Sequence, residues 1–442
     1  MITVQKYEKL TSESKRLYER AYRIMPSGNT RTVLFYSPYP AYAKKATGSR
    51  IWDVDGNERR DYCYNFTVLV LGHNHPKVVG AIRNQLEQGT VFGAPTELEV
   101  KLAEEIRKRA PHSEQVSFSV TGTEAVMNAV RLARAYTGKD KIAMCQGAYH
   151  GSYDSVYTTS AGIPQDTIKN TLTTLPFNNI EVFDEVVKRN RKDLAALVIE
   201  PVHRCIPPKE GFLKAVREIT EENEVLLIFD EIITGFRLST GGASEYYHVV
   251  PDLVTYGKII GGGFPVSALG GKKEIMSLFS FERTISETNK TRLPHSGTFN
   301  AHPVAVAAGL ATLSELTPKV YERINKLGKM MRDGLAKLSS DLGIFYRVVG
   351  AGSLFHIFFA REEVVDHSSA SRSDPRLLAH LDLDLLVRGV YLAPAHFSCV
   401  STANTAEDVE LTLEAVAQSL RSLTPIIRKL EPKLTDQRSH QH

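Results

Sequence analysis

The sequence predicts an α/β protein: a large domain with a mostly parallel sheet between helices, plus a small discontinuous α+β domain. Three observations predict it. The chain has 442 residues, 42% of them apolar and 24% charged, and single cores stop growing at roughly 250–300 residues, so two domains are expected. Apolar runs alternate with helix-patterned segments through the middle of the chain, the sign of a helix-covered parallel sheet. The two ends read differently, as short strands among amphipathic helices.

Residues 6–24 form one expected amphipathic helix, stopped where Pro26 and Gly28 break the pattern. "YAKKATGSRIWDVDGNERRDYC" alternates and carries Asp55-Gly56, a hairpin signal. From Pro76 onward, Val78, Val79, Ile82 and Leu86 share one helical face. The runs "QVSFSV", "KIAMC", "LAALVIEPV", "VLLIFDEI", "DLVTYG" and "ALGG" then give the sheet strands. Beyond about residue 318 come an amphipathic helix, strands at "FYRVVG" and "SLFHIFF", a polar stretch over 361–376, a helix over 377–388 and a last helix from about 406. The expected division is 1–75 and 318–442 for the small domain and 76–317 for the large one.

Bulk properties exclude several classes. Lys and Arg exceed Asp and Glu by four and both signs are dispersed, so nucleic acid and anionic membranes are not expected partners. Cys63, Cys145, Cys205 and Cys399 are far apart and form no CxxC pair, which argues against a disulfide framework or thiolate metal site and fits the reducing cytoplasm. The opening residues are charged and lack the apolar core of a signal peptide, and the chain contains no run of about 18 apolar residues. No GxGxxG follows the first strand of the sheet, which argues against a nicotinamide oxidoreductase.

In an open α/β sheet, ligands sit at the carboxyl ends of strands, and the polar residues there form a chemically coherent set. Gly122 and Thr123 lie between a strand and a helix, which suits either phosphate binding by free N–H groups or a plain turn and N-cap. Asp230, followed by Glu231, closes an apolar strand and needs a cation, either a protonated heteroaromatic nitrogen or Arg237. Lys258 ends the next run before Gly261, Gly262 and Gly263. Withdrawn from water, its amine adds to a carbonyl as a Schiff base; left in water, it is an ordinary surface lysine. Tyr149 offers an aromatic face, His150 beside it reads as a structural histidine, and Glu200 closes another apolar strand. Together these groups describe a planar phosphorylated aldehyde on a pyridine ring, pyridoxal 5'-phosphate (PLP). Lys258 is then the imine former and proton shuttle, and Asp230 keeps the ring nitrogen protonated.

At these positions the chain resembles the fold type I PLP enzymes of class III, the branch that holds glutamate-1-semialdehyde 2,1-aminomutases and β-amino-acid aminotransferases. The motifs are "DVDG", "LGHNHP", "TGTEAVMNAVRLARAYTG", "YHG", "IEPV", "DEIITGFR", "YGKIIGGGFPV", "HSGTFNAHP" and "GVYLAP". The resemblance implies Lys258 as Schiff-base lysine, Asp230 at the pyridine nitrogen, Tyr149 stacked on the ring, Val202 over one ring face and Glu200 near the cofactor. It implies phosphate binding by Gly122 and Thr123, with Thr298 reaching in from the neighbouring subunit of a homodimer. The segment after "YHG", "SYDSVYTTSAGIPQDTIKN", is shorter than the aminomutase lid; an intermediate would escape, which favours transamination. "MPSGNTRTVLFYSPYP" is similar to aminotransferases of β-phenylalanine, which implies Arg31 as a bidentate carboxylate ligand. Tyr36, Tyr64 and Phe66 are aromatic lining candidates. The expected function is an aminotransferase moving an amino group between an amino acid, β- or aromatic included, and a keto acid. The alternative is an aminomutase or epimerase with the same residues, and a binding protein that has lost catalysis stands against the intact Lys258, Asp230 and Tyr149.

Overall fold

The computed structural model describes residues 2–157, 161–280, 293–393 and 397–435. Pro394, which ends the "GVYLAP" motif, and positions 158–160 of the segment after "YHG" lie outside them. The chain divides into two compact units, one of Met1–His75, Glu322–Val364 and Ser368–His442, the other of Pro76–Tyr321 and Val365–His367.

The second unit carries a seven-stranded sheet. Its strands are β1 (Gln115–Ser119), β2 (Lys141–Cys145), β3 (Leu172–Leu175), β4 (Leu194–Ile199), β5 (Leu226–Asp230), β6 (Leu253–Tyr256) and β7 (Ser267–Gly271), in the order β1-β7-β6-β5-β4-β2-β3. Neighbours from β6 through β3 run parallel, whereas β7 is antiparallel to both β6 and β1. The carboxyl ends of β1, β2, β4, β5 and β6 therefore share one sheet edge. Every side chain of β4 is buried, as a strand covered on both faces requires. The expected strands all form. β3 is an addition, an edge strand whose short "LTTL" run gives little apolar signal.

A helix over Pro303–Glu315 is buried almost all round and packs against the helices Pro76–Gln88 and Glu97–Arg109 and the turn Lys258–Gly261. Gly309 permits the last contact, since a Cβ there would stand 1.8 Å from the Ile260 carbonyl oxygen.

The first unit holds a four-stranded sheet of Ala43–Thr47, Arg50–Asp53, Glu58–Asp61 and Val390–Tyr391 and a three-stranded one of Arg347–Val349, Leu354–Phe358 and Ser398–Cys399. Its core gathers Tyr62, Met331, Leu335, Phe355, Leu381 and Leu420. The expected helix over 6–24 is two helices, Ile2–Leu10 and Ser12–Tyr22. Thr11 breaks them apart, its hydroxyl donating 2.6 Å to the Tyr7 carbonyl while its own backbone leaves the helical region.

Candidate active site

The candidate site lies at the shared edge of the seven-stranded sheet, on residues of the segments that follow β1, β2, β4 and β6 and on the last residue of β5. Asp230 is 5% exposed at the end of β5. Its Oδ2 lies 2.7 Å from Nδ1 of the buried His150. Its Oδ1 accepts from the Ile232 N–H at 3.1 Å and from the Thr255 hydroxyl at 3.3 Å. The expected choice between a ring nitrogen and Arg237 thus acquires a third member, because the histidine holds one oxygen. Nε2 of His150 is buried with no hydrogen-bond partner among the described residues. His150, a structural histidine by its sequence context, thus bears directly on Asp230, a pairing that joins residues on separate strand ends.

Glu231 is a structural carboxylate. It is fully buried and accepts from the N–H groups of Ala243 and Ser244 and the hydroxyls of Ser244 and Thr234, which ties down the short helix Gly242–Tyr246.

Lys258 follows β6 in a left-handed conformation, with φ of 47°. A non-glycine residue there costs about 1–3 kcal/mol and persists only where its surroundings enforce it. The helix seated on its turn through Gly309 supplies that constraint. Burial lowers the Lys258 pKa from 10.5 to about 8, against the opposing pull of Asp230 and Glu200. At neutral pH a useful fraction of the amine is unprotonated, the form that attacks a carbonyl.

Glu200 directly follows β4, 5% exposed, with Oε2 accepting from the Arg204 N–H at 3.0 Å. Burial pushes its carboxyl up. Its neighbour His203 donates from Nε2 to the Gln146 carbonyl at 2.9 Å, and burial lowers the His203 pKa to about 3, so the ring is neutral. Val202 is buried two residues after Glu200.

Gly122 and Thr123 open the helix Gly122–Thr137. Thr121 caps it with Glu124, each side chain accepting from the other's backbone N–H, so the Gly122 and Thr123 N–H groups remain at the positive end of the helix dipole. The Thr123 hydroxyl accepts from the Ser152 N–H at 3.2 Å. Ile232 packs beneath both Gly122 and Gly257, where a Cβ would come within 3.1 and 3.0 Å of its Cδ1. One side chain therefore spaces the helix start from the lysine turn. Tyr149 is 54% exposed, a ring with an open face. Thr298 lies in an exposed turn beside Phe299.

Arg31, Tyr64 and Phe66 belong to the first unit. Arg31 is exposed; its Nη1 donates to Asn65 Oδ1 at 2.8 Å and its guanidinium stands 5.6 Å from the centre of the Phe66 ring. Tyr64 is fully buried with its hydroxyl on Asn404 Oδ1 at 2.9 Å, so its ring serves the packing of the unit. Tyr36 accepts the Ala41 N–H at 2.8 Å. Residues Tyr64 to Thr67 all have positive φ, from 46° to 71°, a left-handed turn at a cost of about 1–2 kcal/mol per residue.

A model of the aminotransferase class-III family matches residues 35–416. The chain belongs to the class III aminotransferases. A glutamate-1-semialdehyde 2,1-aminomutase of Methanothermobacter thermautotrophicus is 43% identical over 426 residues, covering 93% of this chain and 99% of the relative. Among solved structures, an omega-transaminase from Sphaerobacter thermophilus superposes with a TM-score of 0.87 at 38% identity, covering 92% of this chain and 97% of that one. A β-phenylalanine aminotransferase from Variovorax paradoxus gives 0.88 at 31% identity, covering 96% and 97%. Other solved neighbours hold PLP or its amine form.

The protein is an enzyme of this PLP-dependent family, and PLP is its cofactor. The residues fit that group: a lysine of lowered basicity, a buried carboxylate, a helix start with open N–H groups and an exposed aromatic face stand at one sheet edge. Among the described residues no helix is long and apolar enough to cross a membrane.

Proposed function

We propose that this enzyme moves an amino group within a carboxylate-bearing substrate, as a glutamate-1-semialdehyde-type 2,1-aminomutase. The observation that carries this reading is the 43% identity to a curated aminomutase across 99% of its length. The order expected from sequence, with transfer between molecules first, is thereby reversed. Transfer from an amino acid to a keto acid is the second reading. It is favoured by the short segment after "YHG" and by transaminase neighbours at 38% and 31% identity.

Both readings use the same residues. PLP supplies an aldehyde that exchanges amines and a pyridine ring that accepts electrons from the substrate carbon. Lys258 would hold the aldehyde carbon and, once released from it, carry the proton between the two carbons concerned. Asp230, steadied by His150, would keep the pyridine nitrogen protonated. Gly122 and Thr123 would bind the phosphate from their N–H groups, with Thr298 of a second copy of the chain completing that site in a homodimer. Tyr149 and Val202 would bracket the ring, and Glu200 would stand beside it. Arg31 would bind the substrate carboxylate beside Phe66.

The deciding experiment incubates purified holoenzyme with glutamate-1-semialdehyde alone, and separately with β-phenylalanine and pyruvate or 2-oxoglutarate. The first reading predicts 5-aminolevulinate without any acceptor and little alanine or glutamate from the second mixture. Acceptor-dependent transfer without rearrangement would establish the second reading in its place.

A further inference from the structure

The turn Tyr64–Thr67 has no counterpart in ordinary secondary structure. Four successive non-glycine residues sit at φ of 46°, 52°, 57° and 71°, a region that Tyr64, Phe66 and Thr67 disfavour sterically and Asn65 tolerates better. Its closing bonds are Thr67 N–H to the Cys63 carbonyl at 2.9 Å and Val68 N–H to the Tyr64 carbonyl at 3.0 Å. Two anchors enforce it. Asp61 Oδ1 accepts from the N–H groups of Cys63 and Tyr64 at 2.7 and 3.0 Å, and the buried Tyr64 hydroxyl donates to Asn404. A strained segment held this firmly points to a task for the residues it displays.

Those residues are Asn65 and Phe66, and both meet Arg31. The Asn65 amide oxygen takes one guanidinium N–H at 2.8 Å and the Phe66 ring lies 5.6 Å away. At the near end of the side chain, the Arg31 backbone N–H donates to Asn29 Oδ1 at 2.9 Å. A neutral partner orients the guanidinium without cancelling its charge. Among the described residues one hydrogen bond engages the guanidinium, which leaves N–H donors for a planar anion.

We propose that Asn65 is a positioning residue for carboxylate recognition: the left-handed turn holds its amide on Arg31 so that the guanidinium presents a fixed bidentate edge to a substrate carboxylate. The inference rests on the reading of Arg31 given above, and holds for either reaction because glutamate-1-semialdehyde and β-phenylalanine each carry a carboxylate.

The test uses holoenzyme and follows the cofactor's absorbance in a single half-reaction with glutamate-1-semialdehyde, β-phenylalanine and 1-phenylethylamine, the last lacking the carboxylate. Asn65→Gly removes the amide at a φ that glycine adopts freely, so the fold is retained. It should raise the half-saturating concentration of the carboxylate probes about tenfold, the scale of a lost hydrogen bond to a charged group, with the limiting rate within about twofold and 1-phenylethylamine unaffected. Asn65→Asp should weaken the carboxylate probes further, because its charge competes for Arg31. Arg31→Ala should do so by about a hundredfold, the scale of a lost bidentate charge pair. Weakening in Arg31→Ala with none in Asn65→Gly overturns the role of Asn65 and leaves that of Arg31 standing. No weakening in either, or no discrimination by wild type, overturns the Arg31 reading and the inference with it. Equal losses for all three probes would make Asn65 a purely structural residue, which also overturns the proposal.

Discussion

At residue scale, burial divides the ionisable groups of the candidate site. Lys258 falls to about 8 because burial penalises its ammonium more than Asp230 and Glu200 restore it. Capture of PLP by apoenzyme should therefore speed up as pH rises through about 8 and level off above it; an increase continuing toward 10.5, the value of an exposed lysine, would show an unperturbed amine. The stability consequence has a defined sign. Between about pH 8 and 10.5 the unfolded chain holds a proton that native Lys258 has released, so this group's contribution to stability rises with pH across that window. His150→Ala removes the 2.7 Å partner of Asp230 and leaves a buried carboxylate oxygen unsatisfied, a loss of about 1–3 kcal/mol in denaturant unfolding. A change under a few tenths would show that the pair does not hold the carboxylate. Asp230, Lys258 and Tyr149 stand out as candidates in the sequence because each ends an apolar run or comes soon after one. The His150 contact does not, since it joins residues 80 positions apart.

At the scale of elements, the lysine turn is only as well placed as the helix seated upon it. Gly309→Ala would drive a methyl into the Ile260 carbonyl, and backbone cannot rotate aside as a side chain does. The expected loss is about 1–3 kcal/mol, together with weaker cofactor retention because Lys258 moves with the turn. Unchanged melting and cofactor affinity would mean that the helix does not set the lysine. The sheet was readable from its apolar runs, whereas β3 was hidden by its two central threonines and the break at Thr11 by a helical periodicity that continues across it. The left-handed turn at Tyr64 was invisible for a different reason. Its conformation is imposed by Asp61 and Asn404, one of them 340 positions away, and local propensity argues against it.

For the molecule as a whole, motif spacing across some 400 residues made family and cofactor legible, while the order of the two reactions was not. That order depends on whether a released intermediate stays in place, which no single residue encodes. The proposed sharing of Thr298 between subunits has a direct consequence for mixed assemblies. Refolding Lys258→Ala chains together with Thr298→Val chains should recover one wild-type site in each hybrid dimer, and with it activity absent from the first parent and impaired in the second. Absence of recovery would place each site within one chain.

The amine proposed to carry the cofactor is that of Lys258. Reduction of holoenzyme with borohydride followed by peptide mass mapping tests this assignment most directly. A single phosphopyridoxyl adduct is expected on the peptide containing Lys258, lost in Lys258→Ala; an adduct on another lysine, or one that survives that substitution, would place the cofactor on a different amine.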